Sequence, residues 1–195
     1  MDKLISFIMP MYNDYPITVP ALYAQTYKNF EIILVHDGPI AGTQDEKELA
    51  GYRYDPRLKV FETEKPGNDW GHAARAFGLT KVSSKSKFIV FGSADNYYMP
   101  EFFEYLSKPF DDEKVQATYC NCLHNVRRWE KMECAIQCGL IDCGNFMTKT
   151  KNAIENGWTG RHYEADWKFV NEIQQKFCNN AGSVHKIDRI LFIHN

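Results

Sequence analysis

Lys87-Phe88-Ile89-Val90-Phe91-Gly92-Ser93-Ala94-Asp95-Asn96 is a run of apolar residues that ends in small, polar and acidic ones. Four consecutive apolar side chains bounded by a turn predict a strand that is buried on both faces. Asp95 then lies directly beyond the carboxyl end of that strand. The small residues Ser93 and Ala94 leave room for a ligand to approach it closely.

Further runs of this kind occur earlier in the chain, at residues 4–9, 30–35 and 58–62. Helical patterns alternate with them, at residues 18–25, 43–52, 71–82 and 101–108. Four alternations of strand and helix predict an α/β fold with a mainly parallel central sheet flanked by helices. Because ligands of such sheets bind beyond the carboxyl ends of the strands, we expect the polar turns 10–13, 36–38 and 93–96 to lie side by side.

The second half of the chain predicts a smaller and less regular part. Its predicted strands and helices are residues 115–122, 145–148, 149–156, 164–177 and 187–194. The polar segment 125–138 carries no clear pattern. The chain has 195 residues and shows no internal repeat and no linker, so we expect a single domain over residues 1–195.

Composition narrows the classes of function. Apolar residues make up 44% of the chain and the net charge is −2. This composition supports a buried core, but it provides no basic field for nucleic acid or an anionic membrane. No stretch approaches the roughly 18 apolar residues of a membrane span, and the run at 4–9 is too short for the core of a signal peptide. We therefore expect a soluble, cytoplasmic protein.

Five of the six cysteines lie between residues 120 and 143. A zinc site formed by Cys120, Cys122, Cys134 and Cys138 is conceivable, but the C-x-C and C-x-x-x-C spacings match common zinc patterns poorly. Reduced thiols are the default without a secretory signal, so free thiols are the favoured interpretation.

Asp95 is the first candidate for chemistry. Mg²⁺ and Mn²⁺ take oxygen ligands and often use one or two carboxylates together with substrate phosphates. The competing interpretation is an aspartate that only orders the turn or caps the next helix. Asp37, in an Asp-Gly turn, and Tyr12 follow the other two strands. They are either turn and packing residues, or a hydrogen-bond acceptor for the N3–H of uracil and a stacking partner for the base.

Asp166 and Glu164 lie near the start of the last helical pattern. One of them could be a general base for an acceptor hydroxyl, and the other interpretation is a solvated helix end that favours acidic residues. His194 follows the final predicted strand, where it is either a metal ligand or an ordinary surface residue.

The order of these motifs resembles that of family-2 inverting glycosyltransferases with the GT-A fold. The resemblance spans nearly the whole chain and is strongest up to residue 110. Four blocks carry it there: residues 5–13 (ISFIMPMYN), 25–38 (QTYKNFEIILVHDG), 71–78 (GHAARAFG) and 88–96 (FIVFGSADN). Three shorter ones follow: residues 145–147 (NFM), 165–167 (ADW) and 190–194 (ILFIH).

The resemblance implies a function and a division of the chain. Residues 1–110 are expected to bind a nucleotide sugar, with UDP as the favoured nucleotide, and residues 111–195 a glycan or other hydroxyl acceptor. Mn²⁺ or Mg²⁺ is the expected cofactor. The implied roles are nucleotide binding by Pro10, Met11, Tyr12, Asp37, His72, Arg75, Ala94 and Asp95, metal binding by Asp95 and His194, and catalysis by Asp166 or Glu164.

The sequence departs from the family pattern at several positions. His36 replaces the first aspartate of the family's D-D-G turn, and Ser93 replaces the first acidic residue of its D-x-D motif. Asp95 is then the only carboxylate of that motif, so metal affinity should depend on the diphosphate for further ligands. Ala165 replaces the glutamate that normally precedes the base.

Two other functions stay open on the sequence alone. A metal motif with only one carboxylate is also compatible with an inactive nucleotide- or glycan-binding module of the same fold. A nucleotidyltransferase would normally carry a Gly-rich, basic loop after its first strand, which residues 11–14 do not provide. The chain is short for such an enzyme, so a second copy in a homo-oligomer is a candidate for completing the acceptor site.

Overall fold

Parallel strands form the first half of the central sheet in the computed structural model, which describes residues 3–13 and 16–195. These strands are β1 (Ile5–Met11), β2 (Phe30–His36), β3 (Leu58–Glu62) and β4 (Phe88–Phe91). β1 lies between β2 and β4, and Ile5 is in register with both Phe30 and Phe88. Every residue of β1, β2 and β4 is buried, which explains their continuous apolar runs.

Six α-helices flank the sheet in the described part of the chain. They are α1 (Thr18–Tyr23), α2 (Gln44–Leu49), α3 (His72–Leu79), α4 (Phe102–Ser107), α5 (Thr150–Asn156) and α6 (Ala165–Phe177). α3 packs closely on β1 and β2. A side chain at Gly78 would bring its Cβ to 2.6 Å from Cγ2 of Ile8, so only glycine permits this approach.

The second half of the sheet is mixed. It consists of β5 (Tyr97–Tyr98), β6 (Ala117–His124), β7 (Glu130–Met132), β8 (Phe146–Lys149) and β9 (Val184–His194). The strand order is β3-β2-β1-β4-β8-β6-β9-β5, and β7 pairs with β6 as a hairpin. β8 runs antiparallel to β4 and β6, whereas β9 runs parallel to β6.

The pairing of β9 carries the end of the chain to the acidic turn after β4. Ile193 is in register with Tyr97 of β5, and His194 with His124 of β6. His194 therefore lies beside the turn that contains Asp95, although the two residues are 99 positions apart in the sequence.

The predicted α/β fold is confirmed, and each predicted strand and helix is present within a few residues of its expected bounds. Neither β5 nor β7 was expected, and β9 begins three residues earlier than the predicted strand at 187–194. No α-helix within residues 3–13 and 16–195 combines the length and apolar character that crossing a bilayer requires.

Candidate functional site

An open cleft of about 400 Å³ lies at the carboxyl ends of β1, β2 and β4. Most of the predicted site residues line it together: Pro10, Met11, Tyr12, Asp37, His72, Arg75, Asp95, Asp166 and His194. Two do not. Ala94 is 1% exposed and packs in the core, and the exposed Glu164 lies in a neighbouring groove.

Tyr12 and Asp37 form one end of this cleft. The ring of Tyr12 is half exposed, which leaves a face free for stacking. Asp37 is buried, and its Oδ1 accepts a hydrogen bond from the backbone N–H of Gly67 at 2.9 Å and one from the hydroxyl of Thr63 at 3.3 Å. The carboxylate is thus fixed in place, as recognition of a base edge requires.

His36 stands where the family pattern has an aspartate, and it does not line the cleft. Its ring is buried, with Nδ1 2.7 Å from the carbonyl of Gly38 and Nε2 3.1 Å from Oδ2 of Asp45. Asp45 also accepts the backbone N–H of Asn13. This buried His–Asp pair ties the turns after β1 and β2 to α2, so the replacement has a structural explanation.

Arg75 fixes the acidic turn from the side of α3. Its guanidinium is buried, with Nη1 donating to the carbonyl of Trp70 and Nη2 to the carbonyl of Gly92 and the hydroxyl of Ser93 at 3.0 Å. The same group lies over the ring of Trp158, 5.4 Å from the centroid. Ser93 therefore anchors the turn through Arg75.

His72 lies beside Arg75 and is also buried. Its ring stacks on Trp158, and Nε2 lies 3.1 Å from the carbonyl of His162. Burial lowers the pKa of His72, and the positive charge of Arg75 adds to that shift. A neutral imidazole at neutral pH follows from both effects.

Asp95 lies in a turn that α1 braces. The hydroxyl of Thr18 donates to the carbonyl of Ser93 at 2.7 Å, and the Thr18 N–H donates to the carbonyl of Ala94. Asn96 accepts the backbone N–H of Asn195, which joins the turn to the end of β9. Burial raises the pKa of Asp95, while His194 opposes the shift.

Asp142 is a site residue that the sequence reasoning missed. Its Oδ2 lies 3.5 Å from Nε2 of His194, and its Oδ1 accepts the N–H of Gly144 at 2.6 Å. Asn145 accepts the N–H of Asp142 in return and completes a cap before β8. An aspartate two positions before a glycine signals a turn, but nothing in its spacing to the other acidic residues indicated a shared site.

His194 is held between two partners. Its ring stacks on His124 with 4.3 Å between centroids, and Asp142 faces Nε2. Burial alone would lower the pKa of His194. The hydrogen bond and charge of Asp142, together with the charges of Asp95 and Asp166, outweigh burial and raise the pKa of His194. Nδ1 has no hydrogen-bond partner among the described residues.

Asp166 lies in the first turn of α6, close to Asp142. Burial raises the pKa of Asp166 to about 6, and the negative charge of Asp142 contributes, although Arg75 opposes the shift. His194 and other neighbours instead hold the pKa of Asp142 below its usual range despite its burial. Two adjacent carboxyl groups whose pKa values are driven apart are typical of acid–base sites.

The donor atoms in the cleft suit a divalent cation. Asp95 supplies a carboxylate and His194 an imidazole, whose buried Nδ1 has no hydrogen-bond partner among the described residues and binds a metal only when the ring is neutral. This mixed oxygen and nitrogen set suits Mn²⁺ better than Mg²⁺, which favours oxygen ligands. Among the described residues, the group of three ligand atoms that lie within 4.8 Å of one another belongs to Asp142, Cys143 and Asp166, and it includes neither Asp95 nor His194.

The cysteines do not assemble the zinc site that the sequence left open. All six are free thiols, and Cys138 is exposed whereas Cys120, Cys122 and Cys134 are buried. The sulfur atoms of Cys122 and Cys134 are 3.7 Å apart. Within residues 3–13 and 16–195, no three of these four thiols meet in a metal-binding group.

Comparisons with known proteins agree with this geometry. Residues 6–176 match the family described as glycosyl transferase family 2. The glycosyltransferase GlyG of Streptococcus pneumoniae is 29% identical over 126 residues, which cover 62% of this chain and 40% of GlyG. The chain spans 14% to 36% of the length of Rickettsia glycosyltransferases that it also matches.

Two solved structures share the fold at 15% sequence identity. S. aureus TarS 1-349, in complex with UDP-GlcNAc, superposes with a TM-score of 0.77 over 98% of this chain and 58% of that one. The mannosyltransferase PcManGT of Pyrobaculum calidifontis, in complex with GDP-Man and Mn²⁺, gives 0.72 over 97% and 56%. The fold is therefore of the GT-A type, and the chain belongs to the glycosyl transferase family 2.

Proposed function

We propose that the chain is the catalytic part of a metal-dependent, inverting glycosyltransferase that moves a sugar from a UDP-sugar to an acceptor hydroxyl. The observation that carries the proposal is the position of Asp166. This carboxyl group has a pKa of about 6. It lines the same cleft as Tyr12 and Asp37, the proposed base-binding residues, and as Asp95 and His194, the proposed metal ligands.

Several features support a nucleotide sugar as the donor. The face of Tyr12 is free to stack on a base, and the fixed carboxylate of Asp37 suits the N3–H of uracil. TarS was solved with UDP-GlcNAc and PcManGT with GDP-Man. We favour UDP over GDP for this chain because Asp37 Oδ1 already accepts two hydrogen bonds within the protein, which leaves the other oxygen of the carboxylate for a single donor such as the N3–H of uracil.

Asp166 acts in the proposed reaction as the general base. It removes the proton from the acceptor hydroxyl while that oxygen attacks the anomeric carbon from the face opposite the diphosphate. The carbon–oxygen bond to the diphosphate breaks in the same step, so the anomeric configuration inverts. A base with a pKa of about 6 is well matched to catalysis near neutral pH.

Asp95 and His194 would hold the Mn²⁺ or Mg²⁺ ion, which supplies charge neutralisation for the departing diphosphate. Asp142 orients His194 through Nε2, and Arg75 keeps the acidic turn in position through Ser93. The protein thus contributes mainly positioning and preorganised charge. The cytoplasmic location and a homo-oligomeric state stay predictions.

Isothermal titration calorimetry with UDP tests the nucleotide and metal parts of the proposal. We expect UDP to bind more tightly with Mn²⁺ than with EDTA, and we expect Asp95→Ala to abolish that difference. Glu101→Ala, which removes an exposed carboxylate that does not line the cleft, is the matched control. Equal UDP affinity with and without Mn²⁺ would contradict metal-dependent binding.

The rival function is an inactive nucleotide- or glycan-binding module. The presence of Ser93 in place of the first acidic residue of the D-x-D motif favours it, because the motif then has only one carboxylate. Slow hydrolysis of UDP-sugars without an acceptor separates the two. Release of UDP by the wild-type protein supports the transferase, whereas tight UDP binding with no hydrolysis of UDP-, GDP- or dTDP-sugars supports the module.

A further inference from the structure

A second groove, called here the hairpin groove, opens beside the cleft and has a volume of about 570 Å³. The β6–β7 hairpin, the loop before Asp142 and the start of α6 form its walls. It shares Asp142, Tyr163, Asp166 and His194 with the cleft. The two openings therefore meet at the proposed base, Asp166.

The position of Asp166 between the two openings determines which chemical group a molecule in the hairpin groove must bring to it. With the donor in the cleft, a molecule in the hairpin groove reaches Asp166 with a hydroxyl group. This step rests on the proposed function. Val126 and Trp167 line the hairpin groove but not the cleft, so they belong to the acceptor side alone.

The charges around the hairpin groove are mainly negative. Asp142, Glu164 and Asp166 line it, and no lysine or arginine does so among the described residues. His124 also lines the groove, and its ring stacks on that of His194 with 4.3 Å between centroids. The charge of His194 is offset by its contact with Asp142.

Arg75 acts by its charge on Asp142 and Asp166 from the side of the cleft, but it does not line the hairpin groove. Arg127 and Arg128 lie in the turn of the β6–β7 hairpin, where both are exposed and outside the lining. An anion in the groove would face Glu164 and Asp166, while Asp142 is paired with His194.

Apolar and aromatic side chains complete the walls. Val126 is 78% exposed and Tyr163 is 80% exposed, and Trp167 is partly buried on α6. Exposed aromatic rings beside carboxylates suit a sugar ring, because its C–H face packs on the aromatic ring while its hydroxyls donate to the carboxylates. Lone exposed apolar residues are ordinary, but here they line the path to one carboxylate.

We propose that the hairpin groove is the acceptor site and that it selects a neutral saccharide over one that carries a carboxylate or phosphate. Trp167 and Val126 contact the apolar face of the acceptor sugar. Asp166 receives the hydroxyl that is to be glycosylated, and Glu164 repels anionic acceptors.

Saturation-transfer NMR in the presence of UDP and Mn²⁺ tests this proposal. The probes are the methyl glycosides of glucose, galactose, mannose and N-acetylglucosamine, with methyl glucuronide and methyl galacturonide as acidic counterparts. We expect at least one neutral probe to bind, and its acidic counterpart to bind at least about tenfold more weakly.

Variants assign the binding to the hairpin groove. Trp167→Ala should weaken the neutral probe about tenfold or more, since it removes the ring on which the sugar packs. Val126→Lys changes an exposed side chain, so folding should be preserved, and it should raise binding of the acidic probe. Arg127→Ala is the control and should leave both affinities unchanged.

The outcomes separate this inference from the proposed function. If UDP binds but no neutral probe does, or if acidic probes bind as tightly as neutral ones, the saccharide inference is wrong. If UDP itself does not bind with Mn²⁺, the proposed function fails, whatever the glycosides do. Neutral probes that bind equally well to wild type, Trp167→Ala and Val126→Lys would show that the hairpin groove is not the site.

Discussion

Substitution of Asp166 by asparagine removes the proposed base while it preserves the shape of the side chain. Positioned general bases contribute typically about 10²–10⁴-fold to the rate. We therefore expect kcat for sugar transfer, or for slow UDP-sugar hydrolysis, to fall by that factor. The affinity for UDP should stay close to that of the wild type, because the proposed nucleotide-binding residues are Tyr12 and Asp37, which the substitution leaves unchanged.

The pKa of Asp166 adds a quantitative expectation. The group is a base only when deprotonated, and its pKa of about 6 lies above the usual value because it is buried next to Asp142. The deprotonated fraction is then about 0.9 at pH 7 and about 0.09 at pH 5. Activity should accordingly fall about tenfold between these two pH values and be lost progressively as pH falls through 6.

The assay is the rate of UDP release from a UDP-sugar with Mn²⁺, measured from pH 4.5 to pH 8.5. The wild type should show an acidic limb near pH 6, and Asp166→Asn should lack both the rate and the limb. Glu164→Gln decides between the two candidate bases, and we expect it to keep the wild-type limb. A wild-type rate in Asp166→Asn, or loss of the limb only in Glu164→Gln, would refute the reasoning.

Three further predictions concern residues around the site and in the core. Asp142→Ala should weaken Mn²⁺-dependent UDP binding about 10–100-fold, because His194 loses the carboxylate that orients it. Calorimetry should show that wild type and variant bind UDP equally in EDTA and differ only with Mn²⁺, and an unchanged Mn²⁺ dependence would refute the prediction. His36→Asp, which restores the family residue, should destabilise the fold by about 3–5 kcal/mol, since it faces the buried Asp45; urea unfolding checks this, and a more stable variant would contradict it. Burial opposes ionisation of Glu31, but hydrogen bonds from Lys59 and from two serines hold the pKa of Glu31 below its usual value. The ionised group should therefore contribute about 1.5–3 kcal/mol to the free energy of unfolding above pH 4.5, and this contribution should be lost on further acidification. Glu31→Gln should make the melting temperature less dependent on pH between pH 6 and pH 3, and identical pH profiles of wild type and variant would exclude the Glu31–Lys59 pair as a source of stability.

The first half of the fold is predictable because its signals are local. β1, β2 and β4 are buried on both faces, so each appears in the sequence as one apolar run bounded by turn residues. Parallel strands then bring their carboxyl ends to one edge. Tyr12, Asp37 and Asp95 were expected to meet there, and the cleft contains all three.

The second half depends on pairings that no local pattern reveals. β5 has two residues and β7 has three, too few for a periodicity. The register of β9 with β5 and β6 decides where His194 lies, and this register joins residues far apart in the sequence. Asp142 was missed for the same reason, since only the packing of the loop before β8 against β9 brings it to His194.

Two departures from the family pattern acquire physical explanations only in three dimensions. His36 serves a buried pair with Asp45, and Ser93 serves as an acceptor for Arg75. Arg75 itself was expected to bind the nucleotide. It lines the cleft, but its hydrogen bonds go to the backbone and to the acidic turn, so its main action on a ligand is through its charge.

The anomeric configuration of the first sugar product shows whether the transfer is a single inverting displacement. Proton NMR can follow the turnover of a UDP-α-sugar with Mn²⁺ from the first minutes, before the released sugar equilibrates between anomers. A single displacement assisted by Asp166 predicts that the β-anomer of the product appears first and that Asp166→Asn forms none. Initial formation of the α-anomer, or no turnover of any UDP-sugar despite UDP binding, would contradict the account.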